Sequence, residues 1–145
     1  MSPEIPASRA AILEQLTQYD QFLEVGIGAR PAVATALAAA GQTLQAIDID
    51  ERPAELSETV GFSQQSIHEL ADAAEQDRAP PQYHVDVVYA FNLPAELQSA
   101  TARFANAVDA DCLFTTLGFE PPAIETVTQT LGQATVYRPQ KFATR

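Results

Sequence analysis

One cysteine, Cys112, and one lysine, Lys141, are all that the sequence holds of either residue. A single cysteine excludes an intrachain disulfide, and without a Cys-x-x-Cys pair there is no thiol framework for zinc or for dithiol exchange. Cys112 lies in the apolar run Cys112-Leu113-Phe114 and reads as a small core residue. A reactive thiol would need a histidine beside it, and the chain has only His68 and His84. Neither has a carboxylate or cysteine at metal-ligand spacing beyond the neighbours Glu69 and Asp86, so no metal site is expected. Also lacking is a long apolar run: the stretch Ala32 to Ala40 is too short to cross a bilayer and is broken by Thr35. The start, Met1-Ser2-Pro3-Glu4, has no basic residue and no apolar stretch, which places the protein in the cytoplasm as an expectation. A Gly-x-x-x-x-Gly-Lys loop and a Gly-x-Ser-x-Gly elbow are both absent, which argues against a phosphate loop and a serine-hydrolase nucleophile.

Positive charge is scarce as a whole. Eight lysines and arginines face 19 acids, for a net charge of −11. In dilute buffer such a surface repels nucleic acid, and no basic face interleaved with aromatics offsets it. Scattered carboxylates with almost no lysine suit a protein that stays hydrated in concentrated salt, so a halophilic source is expected. In that solvent net charge says little about partners, because the screening length falls to about 3 Å or less.

What the chain does contain is an alternation of helix-length and strand-length segments over 145 residues, enough for one domain and one core. Ser8 to Gln18 carries Ala11, Ile12, Leu16 and Tyr19 at helical spacing and reads as a leading helix. Gln21 to Val25 is a short strand. Pro31 to Ala40 is an apolar helix with proline in its first turn, ended by Gly41. Thr43 to Ile47 is a second strand, closed by Asp48-Ile49-Asp50. Glu51 to Glu58 is helical or irregular, Gly61 to Ile67 a polar third strand, Glu69 to Gln76 a helix, and Arg78 to Gln82 a proline loop. Val85 to Phe91 is almost continuously apolar, as in a parallel strand covered on both faces. Ala95 to Val108 reads as a helix, Asp111 to Thr116 as a fifth strand, Pro121 to Leu131 as a helix, and Gln133 to Tyr137 as a last strand. The expected fold is a single Rossmann-like α/β domain: a mostly parallel sheet of about six strands with helices on both faces.

The segment Glu24-Val25-Gly26-Ile27-Gly28-Ala29-Arg30, between a strand and a helix, is the strongest chemical signal. Glycines there let the backbone turn sharply and come close to a ligand, and the next helix aims free N–H groups at the same spot. Twenty residues beyond Gly28, at the end of the next strand, stands Asp48, placed to accept hydrogen bonds from both ribose hydroxyls. A dinucleotide fingerprint wants a third glycine where this chain has Pro31, so NAD remains the alternative ligand. S-adenosylmethionine sites carry an acid two residues before the first glycine. Glu24 holds that place, where its carboxylate meets the ligand's cationic amino group. Arg30 stands where a further glycine is usual; it contacts a carboxylate or phosphate, or points into solvent.

The pattern resembles that of class I methyltransferases. The resemblance implies that Ile49 lies beside the adenine, that Ser66 and His68 fall near the adenine amine, and that the fourth strand's end faces the reacting centre. That end reads Tyr89-Ala90-Phe91-Asn92-Leu93-Pro94. Asn92 is therefore the candidate catalytic residue; its other reading is a helix N-cap ahead of Pro94. More closely, the chain resembles the archaeal uncharacterised protein family 0146. The likeness rests on Phe22 to Gly28, on Ala46-Ile47-Asp48-Ile49, on Val87-Val88-Tyr89, and on Leu117-Gly118-Phe119-Glu120-Pro121. It implies a small methyltransferase-like domain with no established activity. Many members carry an arginine and two prolines where this chain has Asn92-Leu93-Pro94. The resulting expectation is a small adenosine-containing ligand held by Glu24, Gly26, Gly28, Asp48 and Ile49, with catalysis, a protein partner and a homodimer left open.

Overall fold

The computed structural model describes residues 5–28 and 31–140. Seven strands form one sheet: β1 (Gln21–Val25), β2 (Thr43–Asp48), β3 (Gly61–Gln64), β4 (Val87–Ala90), β5 (Asp111–Phe114), β6 (Thr126–Leu131) and β7 (Ala134–Pro139). Their order is β3-β2-β1-β4-β5-β7-β6, with β1 to β5 parallel and β7 antiparallel to both β5 and β6. Four helices cover it: α1 (Ala7–Leu16), α2 (Ala32–Ala39), α3 (Ile67–Glu75) and α4 (Ala95–Ala107).

The strands' period of two divides the core. Phe22, Ala46, Val87, Tyr89 and Leu113 face α1 and α2, whereas Leu23, Val25, Val88, Ala90 and Phe114 face α3 and α4. All four β4 residues are buried, as their unbroken apolar character demands of a strand covered on both sides. α3 and α4 are also joined at the surface by Arg103, which donates to Asp72 at 2.6 Å and to both Glu75 carboxylate oxygens at 2.6 and 3.2 Å.

The expected α/β architecture is present, with seven strands. One expected element is wrong. Residues Pro121 to Leu131 are not a helix: β6 occupies Thr126–Leu131 and pairs with β7 in a hairpin. The spacing of Ile124, Val127 and Leu131 mimics a helical stripe. The alternating β-branched residues Thr126, Thr128 and Thr130 and the two-residue turn Gly132-Gln133 decide otherwise. Gly132 takes φ +60°, a conformation that a hairpin turn needs and glycine supplies without strain. The link from β5 to β6 is therefore a loop, residues 115–125, instead of a connection that runs on into a helix.

Smaller differences concern ends. The third strand stops at Gln64 because Ser66 caps α3, its Oγ accepting from the N–H groups of His68 and Glu69. α2 starts at Ala32, with Pro31 just outside it. The β7 strand begins at Ala134 and runs on to Pro139. Residues 51–58 form turns, tied by Arg52 donating to the Val60 and Ser57 carbonyls at 3.1 and 2.6 Å.

Candidate functional site

Strand order reverses between β1 and β4, since the chain passes from β3 back across β2 and β1 before adding β4. In open α/β sheets ligands bind beyond the strands' C-terminal ends at such a switch point. Here those ends bring together Gly26, Asp48 and Asn92.

The turn after β1 is built by backbone geometry. Gly26 and Gly28 adopt φ +69° and +58°, and at Gly26 a Cβ would meet nothing within 4 Å. Glycine is thus required there by its dihedral, and the space beside it is open. The N–H groups of Gly26 and Ile27 donate to the Ile47 carbonyl at 2.9 and 3.3 Å, extending the β1–β2 ladder into the turn. Asp48 then closes it. Its Oδ2 accepts from the Gly28 N–H at 2.8 Å and its Oδ1 from the Asp50 N–H at 2.9 Å, while its carbonyl accepts from Gln65 at 2.8 Å. Each carboxylate oxygen keeps a further lone pair. Arg30 lies outside the described residues.

A cavity of about 530 Å³ opens beside this turn. Gly26, Asp48 and Ile49 line it from β1 and β2, Gln65, Ser66 and His68 from the start of α3, and Asn92, Pro94 and Leu97 from the approach to α4. The Ile49 side chain is 72% exposed within reach of it, an apolar surface left open to a partner ring. Three acids, Asp48, Asp50 and Glu96, line the cavity, and among its described lining residues there is neither lysine nor arginine. Gly28 and Asp48 also border a neighbouring hollow of about 360 Å³ with Asp50 and Glu51.

Glu24 lies elsewhere. It points to the α1 and α2 face and is only 2% exposed, and it lines neither cavity. Its polar neighbours are Tyr89 and Arg9, yet Glu24 Oε1 and the Tyr89 hydroxyl have no hydrogen-bond partner among the described residues. Burial pushes its carboxyl up to about 8, a shift that Tyr89 and Arg9 oppose and the Asp48 charge reinforces. At neutral pH this acid is mostly protonated.

Asn92, two residues beyond β4, lies in the left-handed region, φ +52°, where asparagine is tolerated better than most residues. It is not the cap of α4: the cap position is Pro94, with no side-chain bond. Instead its N–H donates to Thr115 Oγ1 at 2.9 Å, and the Leu93 N–H donates to the Thr115 carbonyl at 2.9 Å. Asn92 stands on a wall shared by two spaces. Beyond it lies a second cavity of about 530 Å³, bounded by α1, the β5–β6 loop and the β6–β7 hairpin, with Arg9, Phe91, Thr115, Thr116, Phe119 and Thr135 among its lining. The Arg9 guanidinium sits 4.2 Å from the Phe91 ring centroid.

Four contributors were invisible in the sequence. Gln65 and Thr115 act through backbone partners remote in the chain. Arg9 comes from the leading helix. Gln98 is buried in α4, where its amide donates to the Leu93 carbonyl at 3.0 Å and accepts from the Ala123 N–H at 2.6 Å, so that one side chain pins both loops around Asn92. No group of three or more His, Cys, Asp or Glu side chains able to hold a metal occurs among the described residues. No helix there is long and apolar enough to cross a membrane.

Comparison with known proteins places this architecture. The profile of an uncharacterised protein family, UPF0146, matches residues 7–144. UPF0146 proteins from two strains of Halobacterium salinarum are 40% identical over 119 residues, which cover 82% of this chain and 83% of theirs. Among solved structures, an S-adenosylmethionine-dependent methyltransferase from Neisseria gonorrhoeae superposes with a TM-score of 0.64 at 12% identity, over 98% of this chain and 71% of that one. Monomeric WbdD superposes with a TM-score of 0.60 at 14% identity, over 88% of this chain and 40% of its own. At such identities the likeness is one of fold: a methyltransferase-type α/β domain.

Proposed function

The chain belongs to the uncharacterised protein family UPF0146, and from that premise we propose that it binds S-adenosylmethionine at the end of β1 and β2. The observation that carries this reading is the charge of the cavity there. Its lining holds Asp48, Asp50 and Glu96 with neither lysine nor arginine among the described residues. A dinucleotide would bring a diphosphate into that negative field, whereas S-adenosylmethionine brings a sulfonium and an ammonium group.

The residues present fit such a ligand. The free lone pairs of Asp48 accept the ribose hydroxyls, while the Gly28 and Asp50 N–H groups keep the carboxylate in place. Ile49 offers its exposed side chain to the adenine, and the open space at Gly26 admits the ligand next to the backbone. Glu24, the acid expected at the ammonium group, is buried on the α1 and α2 face and lines neither cavity, so it is not placed to meet the ligand directly. When bound, the ligand supplies an electrophilic methyl carbon. Asn92, on the wall between the two cavities, is the polar side chain at which that carbon and an acceptor would meet, and this supports methyl transfer as the fuller reading.

Thermal shift in concentrated potassium chloride tests the binding. Ligand at a hundredfold over its dissociation constant stabilises the fold by about 2.7 kcal/mol. S-adenosylmethionine and S-adenosylhomocysteine are expected to raise Tm, and NAD and ATP to leave it unchanged. Asp48→Asn is expected to weaken both responses. A response to NAD alone would replace this reading with a nicotinamide-binding one.

A further inference from the structure

The strand β6 ends the sheet, and its outer side has no neighbouring strand. The phase of the hairpin says which backbone groups face outward. A two-residue turn makes Leu131 and Ala134 a hydrogen-bonded pair, and such pairs alternate along the ladder. Leu131, Gln129 and Val127 therefore direct their N–H and C=O groups to β7. The Gln140 N–H, donating to the Glu125 carbonyl at 3.3 Å, keeps the same phase. Thr126, Thr128 and Thr130 direct theirs away from the sheet, where no hydrogen bond meets them among the described residues. Sheets ordinarily guard such an edge with proline, charge or a bulge. β6 contains neither proline nor a charged residue, and it pairs with β7 one to one. All 19 acids of the chain stand before Thr126.

We propose that this edge pairs with β6 of a second copy of the chain, antiparallel about a two-fold axis at Thr128, so that one sheet runs through both. Symmetry and charge select that occupant. Threonine stands at 126, 128 and 130, evenly about the centre, so the outward groups of one copy meet those of the other in register. Thr128 faces Thr128 of the second copy, and Thr126 faces Thr130, which gives about six backbone hydrogen bonds between the chains. Threonine pairs are favourable across neighbouring strands. On the opposite face Val127, 56% exposed in the single chain, lies across from Gln129 and diagonal to Val127 and Leu131 of the second copy. Glu125, the acid nearest in sequence, falls across from Leu131, so no like charges are set directly opposite each other. Two chains of net charge −11 repel, and pairing at a strand without carboxylates adds least to that repulsion.

Sedimentation velocity of the full chain over a concentration series, in multimolar potassium chloride, tests the pairing. A reversible dimer is expected. Thr128→Pro removes an outward N–H from each copy at the axis and leaves the β6–β7 bonds in place, since Thr128 donates nothing to β7. It is expected to raise the dissociation constant about tenfold or more. Cross-linking tests the register. Hydrogen-bonded partners stand about 5.5 Å apart at Cα, within disulfide range. With copper–phenanthroline as oxidant, Thr128→Cys is expected to give a covalent dimer. Thr130→Cys, whose counterpart faces Thr126, is expected to give far less. Cys112 is buried, and the wild type supplies the background. Should the proline variant fail to fold, the contrast between positions 128 and 130 decides alone. A monomer at every concentration overturns the proposal and assigns the edge to a strand of some other chain. A dimer that is unchanged in Thr128→Pro, and cross-links no better through position 128 than through 130, has its interface elsewhere and overturns it as well.

Discussion

At the scale of the residue, the most informative position is Glu24. The sequence places it correctly at the end of the first strand, two residues before Gly26, but cannot say that the strand turns its side chain toward α1 and α2 and out of water. That depends on the phase of the β1 pleat against helices remote in sequence. Its carboxyl, raised to about 8 by burial, sets a pH dependence whose sign can be worked out. Between about pH 4.5, where the unfolded chain loses this proton, and about pH 8, where the folded chain does, the native state holds more protons than the unfolded one. Stability therefore falls with rising pH across that window, by an amount on the order of a few kcal/mol. Glu24→Gln is expected to flatten this slope and to raise stability more at pH 8 than at pH 5, as measured by denaturant unfolding at both values. An equal slope in the two proteins would show that Glu24 ionises freely in the fold.

At the scale of the element, β1, β2, β4 and all four helices were legible because their apolar residues repeat with one clear period and their ends carry glycine, proline or a capping serine. The turn Glu24 to Gly28 and its partner Asp48 were legible for the same reason: local spacing fixes them. The β6 strand was not. Ile124, Val127 and Leu131 satisfy a helical spacing as well as Thr126 to Thr130 satisfy alternation, and Val127, which a helix stripe would bury, is exposed. What decides between them is pairing with β7, a non-local interaction. The consequence is a loop, 115–125, held by side chains instead of by a following helix. Gln98 is the main tie, joining Leu93 and Ala123 across α4. Gln98→Ala leaves a carbonyl and an N–H without partners, at a cost of about 1–3 kcal/mol. Hydrogen exchange should then quicken at Ala123 and in neighbouring loop amides while those of β4 stay protected. Uniform acceleration throughout the sheet would mean that Gln98 supports the whole core and not the loop.

At the scale of the whole molecule, charge and solvent act together on stability. A net charge of −11 on 145 residues repels itself in dilute buffer. Arg103 forms salt bridges with Asp72 and Glu75, while Glu51, Glu55 and Glu58 stand exposed on the turns before β3, where solvent cations can reach them. Relatives from Halobacterium salinarum carry the same fold family. Salt acts on such a surface in two ways that point the same direction: it shortens the range of carboxylate repulsion to about 3 Å near 1 M, and it lets potassium ions condense where acids are dense. The apolar core, by contrast, gains little from an unexcluded salt. The expected outcome is that Tm in multimolar potassium chloride exceeds Tm in dilute buffer, with most of the rise complete once the screening length is shorter than the spacing of neighbouring carboxylates. The comparison to make is a thermal melt series from low to multimolar salt on the wild type and on a variant with Glu51, Glu55 and Glu58 changed to glutamine. The variant should need less salt to reach the same Tm, because it has less repulsion to screen. Equal or greater stability of the wild type in dilute buffer would show that repulsion among the carboxylates does not limit this fold.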